Sequence, residues 1–135
     1  MTVVAPRFLP IADPDSAPFW DACREHRLTA QRCDDCGAFR FPPSPLCDRC
    51  RSWSATWAPL PLPGRLYSWI VAHHSVVPEF AADLPYVVGI VEFDPGVRVP
   101  GRVRVEPDEV VAGMPLDVVF KDVDEAVSLP EFVPA

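Results

Sequence analysis

Apolar positions change their rhythm twice along this chain. In "APFWDACREHRL", residues 17–28, the spacing is helical: Phe19, Trp20, Cys23 and Arg27 fall on one side. Asp15 or Ser16 can cap this helix, and Pro18 lies in its first turn, where a missing N–H costs little. A helix so short is marginal alone, so it must pack on something. Phe19 and Trp20 either fold back on their own domain or dock onto a partner as adjacent aromatic anchors. From Gly64 onward the rhythm shortens. "GRLYSWIVAHHSVV", "PYVVGIVEF", "VRVPGRVRV", "MPLDVVFKDV" and "AVSLPEFV" are β-branched or aromatic runs separated by Pro, Gly and Asp. They predict five short strands, which suit a small closed barrel better than an open sheet. "FDPGVR" (93–98) reads as a hairpin turn, and "PEFAADLP" (78–85) as a longer link able to carry function. Residues 58–64, "APLPLPG", are a stiff connector with no room for a helix.

Composition sharpens this picture. With 49% hydrophobic residues the 135-residue chain is not a disordered polypeptide, and its 18 prolines argue against long helices. No apolar run is long enough for a membrane helix, and the start has no basic segment before an apolar one. A cytoplasmic protein with reduced thiols is the expectation. Residues 1–51 carry seven Lys/Arg and seven Asp/Glu, whereas residues 52–135 carry five against twelve. The net charge of −7 therefore sits on the C-terminal part, a surface that repels nucleic-acid phosphates.

Between the helix and the barrel lies "QRCDDCGAFRFPPSPLCDRC", residues 31–50, with four of the five cysteines. The spacing is Cys33-x2-Cys36-x10-Cys47-x2-Cys50. Cysteines two residues apart turn both thiolates inward from one tight loop, and two facing loops give the tetrahedral set that Zn²⁺ accepts. Gly37 fits the left-handed turn that follows such a loop, and "AFRFPPSPL" can form a short hairpin closing the gap. Arg32, Arg40, Arg49 and Arg51 surround the cluster and ease its negative charge. A redox couple needs only one such pair, opening a helix after a strand, and neither pair is so placed. Iron fits the same sulfurs; zinc is the expectation because nothing suggests an electron-transfer partner. Four protein ligands close the sphere, which makes the metal structural.

No catalytic constellation emerges. Cys23 lies one helical turn after Phe19 and reads as a small apolar contact, with His26 the only local candidate base. His73 and His74 are consecutive and point to opposite faces, one inside or at the barrel mouth and one in solvent. The chain does not read as an enzyme by itself.

Taken together, "FWDACREHRLTAQRCDDCGAFRFPPSPLCDRC", "GRLYSWIVAHH" and "PYVVGIVEFDPGVRVPGRV…GMPLDVVF" resemble the acyl-CoA-associated zinc-ribbon/OB-fold proteins, long catalogued as a domain of unknown function. The resemblance spans Phe19 to Pro134. It implies a mainly β fold in three parts: an N-terminal arm and short helix (1–30), a rubredoxin-like zinc ribbon (31–57), and a five-stranded OB-fold barrel with a C-terminal tail (58–135). It also implies a non-catalytic companion subunit of a thiolase-superfamily enzyme, such as a thiolase or a steroid side-chain retro-aldolase, in an α2β2 assembly. Such a subunit shapes the acyl-CoA channel while its partner carries the chemistry. By the family pattern Cys33, Cys36, Cys47 and Cys50 are the metal ligands, and Phe19 and Trp20 are the helix pair near the channel. The alternative is a single-stranded nucleic-acid-binding protein, since zinc ribbons and OB barrels also serve that role. The acidic background opposes it, and Tyr67, Trp69, Tyr86 and Phe93 are expected in the barrel core.

Overall fold

The helical rhythm ends sooner than the sequence predicts. In the computed structural model, which describes residues 9–135, helix α1 covers only Ala17–Arg24. The start of the N-terminal arm, residues 1–8, lies outside the described residues. Ser16 precedes the helix but does not cap it with its side chain; it bonds backwards, its N–H donating to Asp13 Oδ1 at 2.7 Å. The helix stops because the chain folds back at once. The N–H groups of Glu25 and Arg27 both donate to the Ala22 carbonyl, that of His26 donates to the Cys23 carbonyl, and His26 takes a left-handed φ of 58°. Arg27, expected on the helix face, is instead in the exposed turn.

This early reversal lets Leu28 and Ala30 enter the core and starts a strand that the periodicity does not reveal. β1 (Thr29–Cys33) is the centre of a three-stranded antiparallel sheet, flanked by β2 (Phe39–Arg40) and β3 (Ala55–Pro59). β3 takes in the first two residues of the proline-rich connector.

The five predicted barrel strands are all present: β4 (Gly64–Ala72), β5 (Tyr86–Phe93), β6 (Val97–Val103), β7 (Pro115–Asp122) and β8 (Ser128–Pro134). They close in the order β4-β5-β6-β8-β7, with one parallel contact, Val103 opposite Phe132. Counted within the barrel this is 1-2-3-5-4, an OB-type closure that removes most free edges. On β5, Val87, Gly89, Val91 and Phe93 alternate inward. Gly89 has to be glycine: a Cβ there would lie 2.7 Å from Leu66 Cδ1 and 2.8 Å from Val103 Cγ2. The turn at Pro95-Gly96 closes as expected, with the Gly96 N–H on the Phe93 carbonyl at 2.7 Å. Residues 78–83 of the longer link form a 3-10 turn.

Ribbon and barrel share one core. Phe19, Cys23, Leu28 and Ala30 belong to the same buried cluster as Leu66, Phe93 and Phe132. Phe19 is 4% exposed, its ring edge-on to Trp20 at 5.0 Å and to Phe41 at 5.3 Å. Of the two alternatives for this pair, Phe19 takes the first and folds back on its own domain. Phe19 glues the helix to the ribbon, and only Trp20 keeps part of its surface outside. A second tie is polar: His26 Nε2 lies 2.7 Å from Asp122 Oδ1, and its ring stacks on Phe120 at 5.2 Å. The Ser128 hydroxyl, then His26, hold the Asp122 carboxyl below the usual carboxylate range.

Replacing Phe19 by Ala empties this joint. Phe→Ala changes in a packed core cost about 3–5 kcal/mol, so the unfolding midpoint in denaturant should fall accordingly. A loss under about 0.5 kcal/mol, the level of a surface change, would show that the helix is held by something else.

Candidate metal centre

The two cysteine pairs build near-identical loops. In the first, the Gly37 N–H closes on the Cys33 carbonyl at 3.0 Å, and Gly37 takes φ 75°. In the second, the Arg51 N–H closes on the Cys47 carbonyl at 3.0 Å, and Arg51 takes φ 64°. Each loop needs a left-handed residue directly after its second cysteine, so Gly37 serves the purpose inferred from the sequence. Arg51 does the same without glycine's freedom. Backbone N–H groups point at sulfur in both: Cys36 to Cys33 Sγ at 3.5 Å and Arg49 to Cys47 Sγ at 3.4 Å.

The loops face each other so that the four sulfurs lie within 4.8 Å of one another, with Cys33 to Cys50 at 3.5 Å and Cys36 to Cys47 at 3.7 Å. A tetrahedral ion with metal–sulfur bonds of about 2.3 Å requires sulfurs about 3.8 Å apart. The set therefore fits such an ion. Its electrostatics agree. The Cys36 N–H, aided by other donors, draws the Cys33 thiol down to about 6. The Cys50 N–H does most to lower Cys47. At Cys50 the Ser52 N–H acts in the same sense but is outweighed by the Cys33 sulfur and burial, which push the thiol up to about 12. Without a cation the four sulfurs cannot all ionise; a divalent metal removes that conflict.

Polar clamps fix the loops to the sheet. Ser54 Oγ and Thr56 Oγ1 donate to Asp34, Ser52 donates to Asp35, and the Asp34 N–H reaches the Ser54 carbonyl at 3.0 Å. Of the four arginines expected around the site, Arg40 departs from that role. It is buried, donating to Gln31 Oε1 at 3.0 Å and to the Ser44 carbonyl at 2.9 Å, which anchors the turn joining the two loops.

The remaining candidates scatter. Cys23 is fully buried and its thiol is pushed up to about 12 by burial, which leaves it no nucleophile. His73 and His74 lie past the end of β4 and both are exposed, so neither points into the barrel as expected. Arg24 and Arg27 pair with Asp21 and Glu25 on the surface. Trp20 borders a shallow groove with Phe80, Pro100, Arg102 and Leu129. Phe93 is in the core, but Tyr67 is 53% exposed and Trp69 36%. Leu66 takes the inward position next to Tyr67, and the bulge that follows it sets Trp69 opposite Gly89, on a stretch that β7 no longer flanks. Aromatic content alone could not reveal that.

A closed four-sulfur knuckle fused to a barrel of OB order defines a zinc-ribbon/OB-fold protein. Two family models cover it: the ChsH2 rubredoxin-like zinc ribbon domain over residues 20–53 and the ChsH2 C-terminal OB-fold domain over residues 57–121. The chain belongs to this DUF35 family of ChsH2-type zinc-ribbon/OB-fold proteins. It is 38% identical, over 93% of its length, to the probable enoyl-CoA hydratase alpha subunit of Thermomonospora curvata. It is 33% identical, over 84%, to the 3-oxo-4,17-pregnadiene-20-carboxyl-CoA hydratase alpha subunit of Mycobacterium tuberculosis. It spans 39% and 36% of the lengths of those two proteins. It is also 33% identical, over 73% of its length and 70% of the other, to a DUF35 domain-containing scaffold protein of Methanocaldococcus jannaschii. Among solved structures it superposes on a chain of the Ltp2-ChsH2(DUF35) aldolase with a TM-score of 0.85 and 36% identity, covering 93% of this chain and 98% of that one. No helix among the described residues is long and apolar enough to cross a membrane.

Proposed function

We propose that this chain is a non-catalytic accessory subunit of a thiolase-like enzyme acting on acyl-CoA thioesters, in an α2β2 assembly built on that enzyme's dimer. The observation that carries the reading is the match to nearly the whole of a chain found in an aldolase with Ltp2. The hydratase subunits among its relatives support a CoA thioester as substrate of the complex, and one of them a steroid acyl group. In this reading Cys33, Cys36, Cys47 and Cys50 hold structural Zn²⁺, which fixes the ribbon against the barrel. Trp20, in its groove beside Arg102, faces the acyl-CoA channel; Phe19 keeps the helix in place. The partner supplies the groups that cleave the carbon–carbon bond. Co-purification with the thiolase-like subunit encoded in the same genome, followed by mass measurement of the complex, tests the assembly.

Nucleic-acid binding, the other role of such folds, is not expected. The surplus of acidic residues in 52–135 opposes the phosphate contacts that dominate such affinity. Fluorescence titration with a single-stranded oligonucleotide at physiological salt should give no sub-micromolar binding. A tight, salt-sensitive isotherm would reverse the choice.

A further inference from the structure

Strand β4 carries a surface that the fold leaves unused. Its ladder with β7 ends at Arg65, opposite Pro115, and Leu66 exchanges the last main-chain bonds on that side with Met114 and Gly113. From Tyr67 to Ala72 the strand pairs with β5 alone, so its other edge has no strand partner among the described residues. Trp69, opposite Gly89, and Ile70, opposite Val88, point to opposite faces of the sheet. Ile70 is 66% exposed, and with Tyr67 and Trp69 it opens both faces of the strand end to solvent. Beyond the bulge the stretch contains neither a charged residue nor a proline, two of the devices that keep a free edge from pairing.

We infer that this end of β4 is the docking site for the partner subunit, which lays an extended segment along the free edge and covers Tyr67 and Ile70 with apolar side chains. The inference rests on the accessory-subunit reading and adds the surface to it. Three occupants compete. A nucleic acid would need the Tyr67 ring face for stacking and a cation beside it for phosphate. That face is covered by the Arg98 guanidinium at 3.7 Å, which is itself held by Glu92 at 2.9 Å. A second copy would bring together two bodies that each carry a net charge of −7. A separate protein meets neither obstacle, and the structural relative sits in an aldolase with a different chain, Ltp2. Tyrosine and arginine stacked in one rigid unit beside an exposed aliphatic residue form the kind of anchor such interfaces use.

The test measures binding of the full chain to the purified subunit most similar to Ltp2 from the genome that encodes it. Ile70→Glu and Tyr67→Ala should each weaken binding at least tenfold, with thermal unfolding and metal content unchanged because both side chains are exposed. Ile11→Glu, another exposed apolar position but on the arm before α1, should bind as the wild type does. If the wild type binds and Ile70→Glu binds equally well, the surface lies elsewhere and the accessory reading survives. If the wild type does not bind, the accessory reading itself fails. Self-association abolished by Ile70→Glu would assign the face to a second copy, and oligonucleotide binding abolished by Tyr67→Ala would assign it to a nucleic acid; either overturns the inference.

Discussion

Stripping the metal with a strong chelator under reducing conditions is expected to unfold residues 29–59 while the barrel strands between Gly64 and Pro134 keep their slowly exchanging amides. The ribbon is a three-stranded sheet with one strand of two residues, and its buried apolar side chains lie mostly where it touches the helix and the barrel. Its loops are held by four sulfurs and a few exposed side-chain bonds. Structural zinc in such sites contributes an apparent 10–16 kcal/mol or so near neutral pH, comparable to the whole stability of a typical small domain. The barrel strands supply most of the shared core, around Phe93 and Phe132, and are therefore expected to persist without the ion. Cys33→Ala should purify with no metal and with the same loss of ribbon protection. Cys23→Ala should keep its metal, since that sulfur lies in the core and outside the cluster. Metal content unaffected by Cys33→Ala, or lost in Cys23→Ala, would show that the ligand set is wrong. Amide exchange collapsing in both parts together would show that ribbon and barrel are one cooperative unit.

The parts of this molecule that were legible in the sequence are those where one local rule decides the outcome. Cysteine spacing fixes loop geometry, so the four sulfurs meet as expected. Alternation fixes strand faces, so β5 with Val87, Val91 and Phe93 inside could be read directly. The failures lie where tertiary context overrides the pattern. "TAQRC" has no alternation because β1 is central and buries Thr29, Ala30 and Gln31 in succession. "ATWAP" ends in the proline-rich stretch, and its strand exists because β1 offers it a ladder from Cys33 to Thr29. The helix stops four residues early because the core requires Leu28, a demand that no helical repeat encodes. At β4 neither Tyr67 nor Trp69 is core, because Leu66 takes the inward position beside Tyr67 and Trp69 lies where β7 no longer flanks the strand. Strand alternation does not apply to His73 and His74, because the strand has already ended at Ala72.

In the proposed assembly the largest effect should come from leaving this chain out. The thiolase-like subunit, prepared alone, is expected to turn over its acyl-CoA substrate at least about tenfold more slowly than the complex. A tenfold change corresponds to about 1.4 kcal/mol of lost transition-state stabilisation. The physical reason is orientation: a long thioester held on one side only samples many unproductive poses, and a rigid second wall removes them. The wall has to be rigid, which is what the metal knuckle, the buried Phe19 and the His26–Asp122 tie provide. Trp20 then becomes the diagnostic residue. Because it is partly exposed at the mouth of its groove, Trp20→Ala should leave metal content and complex mass unchanged while raising KM or lowering kcat/KM for the acyl-CoA. Phe19→Ala should instead lower stability first, and activity only through it. These two variants separate a channel role from a purely structural one. If the partner alone matched the complex in kcat/KM, the chain would not contribute to the reaction. If Trp20→Ala matched the wild type while the chain was still required, its contribution would lie in holding the partner's fold rather than in lining the channel.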